Sequence, residues 1–504
     1  MKDNRLSKTI LILITLLILT NTIEALSIKN EIQIQDTNTK INLRHITREI
    51  NQLNPPFRIL YPRLSCPAIL EPGESLQIEI DETKFDRTYV YIETANEPVI
   101  DSFWLTITTI NINITTLITV TIPENTPVEL YNLTIFIEDS GNYYSHSQPH
   151  SISIVENISE NYSFIHISDL HIGDFRGITE NLIETIGWKS VKRCINEVNI
   201  LSPDFVVITG DLVYGQLYPF EYTNEYKELY SILHQFDVPV YLILGNHDGY
   251  NRIFEDGLEF WHTYFGPDYY SFNYGSSHFQ AINSYDHTKL ERFTFFFIPL
   301  NWGGSIENQQ IEWIQEDLNS SKNSKIHFML LHHNPIWDTT SESLIKKPYK
   351  NQETLLNIID QHNIDMVIAG HVHYDNVTKR NNTTYLTTTT PQSSISKPDG
   401  YWGYRHIFIE NGSIVKYNYK DPKYSNPTYK LEIEIIDLFT KIVKNDLEIT
   451  INAQIKYLLP KGTYAAQNGN ILYQRENEIF TELYVDTEVE SQSNIHVTIT
   501  ELTD

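Results

Sequence analysis

Five short blocks of the chain carry residues that bind metals and move protons: Asp169-Leu170-His171, Gly210-Asp211, Gly245-Asn246-His247-Asp248, His332-His333-Asn334-Pro335 and Gly370-His371-Val372-His373. Carboxylate, amide and imidazole donors together suit borderline divalent cations. Asp169, His171, Asp211, Asn246, one histidine of the HHNP block, His371 and His373 are more ligands than one ion takes, and Asp211 and Asn246 can each reach two. The set therefore suits a centre of two metal ions. Within the HHNP block His332 is the first histidine after the apolar run and His333 stands two before the proline; both stay open as the ligand.

Each block follows an apolar run that reads as a buried strand, at 164–168, 204–209, 240–244, 325–331 and 365–370. Helical patterns near 180–199, 222–236, 305–320 and 352–362 alternate with these runs, which is the rhythm of a layered α/β domain. In such domains strand ends gather on one rim and ligands bind there. In extended chain residues i and i+2 point the same way, so Asp169 with His171, and His371 with His373, are each expected to serve one site as a pair. Gly210, Gly245 and Gly370 would let the backbone turn and approach closely where strand becomes loop.

In motif order and placement residues 169–373 resemble the calcineurin-like metallophosphoesterases, whose blocks run D-x-H, GD, GNH(D/E), H and GHxH. A lone GD or HxH recurs by chance; five blocks in order at five strand ends do not. The resemblance implies a four-layer β-sandwich core with flanking helices, over residues 163–416. It implies that Asp169, His171 and His373 hold one metal, that Asn246, His371 and a HHNP histidine, His333 by the family's H-x-P pattern, hold the other, and that Asp211 bridges. His247 is then the uncoordinated catalytic histidine, oriented by Asp248 or Asp211. The cofactors implied are two divalent ions of the Mn, Fe or Zn kind, whose shared hydroxide attacks phosphorus. Tyr214 in GDLVY matches purple acid phosphatases, which lack the histidine at the place of His171; here Tyr214 is expected to line the pocket, and the protein to be colourless.

Composition narrows the substrate. A formal charge of -27 repels nucleic-acid polymers and anionic membranes, so small phosphate mono- or diesters, nucleotides or lipid headgroups among them, are the expected partners. Phe175, Tyr214, Tyr218, Trp302, Trp337 and Trp402 are available to stack on a base or sugar, and Arg176 or Asn334 to touch a phosphate.

Lys2, Arg5 and Lys8 precede the apolar run Ile10–Leu19, and a cleavage point follows Ala25, the layout of a signal peptide over residues 1–25. The expected location is secreted or extracytoplasmic, with an N-terminal anchor as the alternative and no stable membrane insertion after cleavage. Sequons such as Asn113, Asn157 and Asn411 fit an exported glycoprotein. Cys194 shares an apolar helical face with Val191, Ile195 and Val198 and reads as core.

Short Thr/Ile/Val-rich runs with regular turn signals predict β-sandwich domains at 31–158, Ig-like, and at 420–504. They raise a competing function, an extracellular binding or adhesion protein with the middle domain as scaffold. That function predicts decayed ligands, and none of the blocks has decayed.

Overall fold

The computed structural model describes residues 55–502 except 97–98, 175–185, 218–219, 296–297, 337–347, 393–401 and 418–424, together with the backbone of an antiparallel hairpin, Lys29–Asp36 with Thr39–Thr47. The proposed leader, residues 1–25, lies outside the described residues. The hairpin belongs to one compact unit, Met1–Pro55, and the rest of the chain, Pro56–Asp504, to another.

The middle of the second unit is a sandwich of two sheets. One runs Val240–Ile243, Phe205–Thr209, Tyr162–Ile167, Gly403–Glu410 and Ser413–Lys416; the other runs Tyr270–Tyr274, Ser277–Ala281, Ile326–Leu330, Met366–Ala369, Thr383–Thr387 and Asn376–Arg380. Phe164, Phe205, Val207 and Ile407 of the first sheet meet Phe279, Phe328, Ile368 and Leu386 of the second in one apolar layer. The outer faces are covered as well. Helices Ile186–Leu201 and Glu221–Leu233 pack on Ile165, Val206 and Ile208, while Asn308–Ser320 and Gln352–Gln361 pack on Met329, Leu331 and Val367. The order is helix, sheet, sheet, helix, and strands buried on both faces read as unbroken apolar runs.

All five strands expected from the apolar runs are present and paired in parallel with a neighbour. The antiparallel edge Tyr270–Tyr274 and the helix Gly257–Tyr264 have no counterpart in the expected pattern. The middle domain also reaches past the expected end at residue 416, because Asn426–Pro427 pairs with Gly403–Tyr404.

Residues 59–154 form a continuous eight-strand path folded around its own core, with Ser102–Ile112 pairing one neighbour through its first half and another through its second. At the other end, Leu431–Glu501 form two sheets over a shared core. Neither layer hangs free. Ser65 O accepts from Leu242 N at 2.9 Å and so covers an edge of the first sheet, and Arg193 donates to Leu431 O at 2.6 Å. Arg475 reaches Glu129 of the first layer and Glu482 of its own, at 3.4 and 2.6 Å. Cys66 and Cys194 are buried free thiols, Cys194 within the cluster of Val191, Ile195 and Val198.

Candidate metal centre

The loops after the parallel strands continue the pairing of the strands themselves. Asp169 N donates to Gly210 O and His171 N to Asp211 O at 3.1 and 2.9 Å, so the DLH and GD segments run side by side. Gly370 N donates to His332 O at 3.1 Å and His371 N to Asp169 Oδ2 at 3.0 Å, which brings the second sheet's loops against the first's.

The glycines are required by space. A Cβ on Gly370 would lie 1.8 Å from Ser168 Oγ, one on Gly245 2.2 Å from Asp211 N, and one on Gly210 2.7 Å from Gly245 Cα. Extended geometry, however, is not what aims the ligands. Asp169, His171, Asp211, His371 and His373 all have φ between 46 and 71°, a left-handed conformation that costs on the order of 1–2 kcal/mol per residue and is found at functional sites. One expected pair survives this and one does not: Asp169 and His171 share a cluster, whereas His371 and His373 diverge into two.

The first cluster joins Asp169, His171, Asp211 and His373. His171 Nε2 and His373 Nε2 stand 3.1 Å apart, with Asp169 Oδ1 at 3.3 Å from His373 Nε2 and Asp211 Oδ2 at 3.5 Å from His171 Nε2. The second cluster is His332, His333 and His371. His332 Nε2 lies 3.2 Å from the same Asp211 Oδ2, so one carboxylate oxygen faces both.

His333, the expected ligand, and His332 both lie in this cluster, and they differ in what their nitrogens hold. His333 spends both nitrogens, Nδ1 with Ser284 Oγ at 3.0 Å and Nε2 with Trp302 O at 2.9 Å. His332 holds the Thr209 carbonyl through Nδ1 at 2.6 Å, and its Nε2 is buried without a hydrogen bond. A backbone carbonyl on one nitrogen and an open second nitrogen is how a ligating imidazole is oriented.

Asp248 departs from expectation too. Its carboxylate accepts from the backbone N–H groups of Leu212, Val213 and Gly245 at 2.8, 3.1 and 2.9 Å, tying the GD loop to the GNHD turn. The ring of His247 is held instead by the Tyr214 carbonyl, 2.5 Å from Nδ1, and its backbone N donates to Asp211 Oδ1 at 2.8 Å. The imidazole of His247 is therefore oriented through Nδ1 by a backbone carbonyl and not by the Asp248 carboxylate.

The residues fit cations. Asn246 Oδ1 is buried with no hydrogen bond, a costly state for a polar atom unless an ion satisfies it, and Asp169 Oδ1 and His332 Nε2 meet other donor side chains of the two clusters, at 3.3 and 3.2 Å. Asn246 is turned by its own Nδ2, which donates to Tyr250 Oη at 2.7 Å. Burial disfavours charge, yet facing imidazoles, His373 and His171 on Asp169 and His332 and His247 on Asp211, hold both carboxyls well below their usual range. His332 responds in the opposite sense: against burial, Asp211 and Asp169 push its pKa up to about 9. The pocket attracts positive charge.

Burial lowers the pKa of His247 to about 4, with Asp211 opposing. His247, His371 and His373 are partly exposed, whereas the other candidate ligands are buried. Tyr214 stacks on His247 with centroids 5.4 Å apart, as pocket wall. Asn334 is buried and spent on Thr387 Oγ1 and Ile336 N, so it faces no substrate. Trp302 meets the site through its carbonyl, and Trp402 is 37% exposed. Phe175, Arg176, Tyr218 and Trp337 lie outside the described residues. Ser284 was not foreseeable, because its partners His332 and His333 are distant along the chain; Tyr250, two residues after Asp248 and bonded to Asn246, and Thr209, directly before Gly210, could have been suspected.

Residues 162–375 match the calcineurin-like phosphoesterase family. A probable glycerophosphodiester phosphodiesterase of Arcobacter nitrofigilis is 23% identical over 46% of this chain and 79% of its own length. A probable cyclic nucleotide phosphodiesterase of Vesicomyosocius okutanii is 26% identical over 42% of this chain and 79% of its own. Among solved structures, a purple acid phosphatase from yellow lupin (Lupinus luteus) seeds aligns at 12% identity over 73% of this chain and 69% of that one, with a TM-score of 0.39.

Proposed function

We infer, for a chain that carries a calcineurin-like phosphoesterase region and is a hydrolase acting on phosphoric ester bonds, that it cleaves small phosphodiesters at a centre of two divalent ions. The observation that carries this is Asp211 Oδ2 facing both ligand clusters, 3.5 Å from His171 Nε2 and 3.2 Å from His332 Nε2. Relatives named as phosphodiesterases support a diester over a monoester.

In this reading Asp169, His171 and His373 hold one ion, Asn246, His332 and His371 the other, and Asp211 both. When bound, such ions polarise phosphoryl oxygens and acidify water. The chain does the remainder. The His247 Nδ1–H donates to the Tyr214 carbonyl, which leaves Nε2 as the nitrogen for the substrate. An arriving phosphoryl group brings negative charge, raises the pKa of the imidazole, and lets Nε2 pass a proton to the leaving oxygen. Asp248 keeps the two loops that carry Asp211 and His247 at fixed spacing. The acidic chain leaves long polyanions outside, while the local positive centre admits a small ester.

The leader-like N-terminus supports work outside the cytoplasm, with the two β-layers, the first Ig-like, as accessory domains. Rates on bis-p-nitrophenyl phosphate, p-nitrophenyl phosphate, glycerophosphodiesters and cyclic nucleotides test the reading. Faster turnover of a diester than of any monoester is expected; a monoester preference of tenfold or more would overturn it.

A further inference from the structure

Away from the metal centre, the first β-layer and the middle domain border a cavity of about 820 Å³, within the ~300–1,000 Å³ of small-molecule sites. Residues between 58 and 81 supply one side, and Tyr241 with residues between 262 and 273 the other; none of them belongs to the metal centre. The two sides are pinned together. Tyr270 Oη lies 2.9 Å from the carbonyls of both Ser65 and Leu242, and Ser65 Oγ donates to Phe265 O at 2.5 Å.

Much of the lining is apolar. Leu60, Tyr61, Pro67, Ile69 and Phe272 contribute, and Tyr241 stacks on Phe272 with centroids 3.6 Å apart. Among them stands a buried cation. Arg63, 2% exposed, donates through Nη1 and Nη2 to the carbonyls of His262 and Thr263 at 3.2 and 2.8 Å, capping the last turn of helix Gly257–Tyr264. Its Nε has no hydrogen bond, and among the described residues no carboxylate pairs with it. A guanidinium keeps its charge and offers five N–H donors, and a buried charge is ordinarily paired. Two carbonyls leave Arg63 without a counterion. The two carboxylates that also line the cavity are engaged elsewhere: Asp81, exposed, accepts from Arg58 N at 2.5 Å, and Glu79 accepts from Thr115 Oγ1 at 2.6 Å.

We propose that this cavity binds a small organic monoanion with an aromatic body, its acidic group against Arg63 and its rings against the apolar wall. Each part of that description answers a feature of the site. The unpaired guanidinium calls for acidic oxygens, which it holds by charge-assisted hydrogen bonds. The aromatic and aliphatic lining calls for a ring system. Glu79 and Asp81 oppose any further negative charge, which sets nucleoside di- and triphosphates aside. Since the cavity shares no residue with the metal centre, this binding does not depend on the proposed phosphodiesterase activity.

The test is a fluorescence titration of the full-length, metal-loaded protein with 8-anilinonaphthalene-1-sulfonate, an aromatic monoanion, in the presence of inorganic phosphate to occupy the metal centre. N-phenyl-1-naphthylamine, the same rings without the sulfonate, is the neutral control. One saturable site per chain is expected, with the neutral probe bound at least ~tenfold more weakly, and Arg63→Met should lose at least ~tenfold in sulfonate affinity with its circular dichroism unchanged. Leu60→Trp keeps the guanidinium, puts bulk into the cavity, and should lose binding to a similar extent. A wild type with no saturable site, or one that binds the neutral probe as tightly as the sulfonate, overturns the proposal. So does a folded Arg63→Met that binds the sulfonate like wild type, which would leave Arg63 as a helix cap alone. Should Arg63→Met fail to fold, Leu60→Trp decides, and unchanged binding in that variant overturns the proposal.

Discussion

At the scale of single residues, neighbouring histidines differ by what their second nitrogen does. His332→Ala should lose one equivalent of bound metal and at least ~10²-fold in rate, since even changes behind a ligand cost 10–100-fold. His333→Ala, with both nitrogens already hydrogen-bonded within the protein, should keep both equivalents; metal analysis of the two variants decides between them, and the reverse pattern would restore His333. His247→Ala should bind metal normally and slow turnover by ~10²–10⁴-fold, the range for a general acid; an unchanged rate would remove it from the reaction. The ligand types and their order were legible in the sequence because metal chemistry constrains side chains directly. Which of two adjacent histidines faces inward was not, because that depends on Ser284, Trp302 and Thr209, remote along the chain.

At the scale of elements, strand ends deliver the ligands and Asp248 fixes their spacing. Burial and the Asp211 charge push the Asp248 pKa up to about 7, and its acceptor bonds from Leu212, Val213 and Gly245 offset that cost. Asp248→Asn places an amide group against backbone N–H donors, so we expect a loss of about 1–3 kcal/mol in stability together with weaker metal binding. A variant of unchanged melting temperature with a lowered kcat alone would return Asp248 to the chemistry. The five ligand-bearing strands were readable as unbroken apolar runs. Helix Gly257–Tyr264 was not, because eight residues carry little periodicity, and the left-handed turns at Asp169 and His371 leave no trace in residue type, since neither is glycine.

At the scale of the whole molecule, the flanking β-layers are packed onto the catalytic domain through buried polar contacts. His150 of the first layer stacks on His234, which follows helix Glu221–Leu233, with centroids 5.4 Å apart. Burial lowers their pKa values to about 3 and about 4. Both are thus depressed relative to the unfolded chain, which takes up protons near pH 6.5. Their contribution is present above that pH and is lost as pH falls toward 4 and 3, on the order of 1–2 kcal/mol per histidine between pH 7 and 5. Thermal unfolding at the two pH values should therefore show a smaller acid loss for His234→Gln than for wild type; an equal loss would contradict the role of this junction. Two β-rich flanks were legible from alternation and turns. Their union with the middle domain into one unit was not, because it rests on isolated contacts such as Arg193 to Leu431, Ser65 to Leu242 and Arg475 to Glu129, and no periodicity announces a contact between distant segments.

The most direct measurement of a shared carboxylate is metal titration of chelator-stripped protein, following bound metal and phosphodiester hydrolysis together in wild type and Asp211→Asn. Two equivalents per chain, with activity returning only as the second binds, and loss of both tight binding and turnover in the variant, is the result expected. Hydrolysis that survives complete metal removal, or an Asp211→Asn protein that still binds two ions and turns over at the wild-type rate, would contradict it.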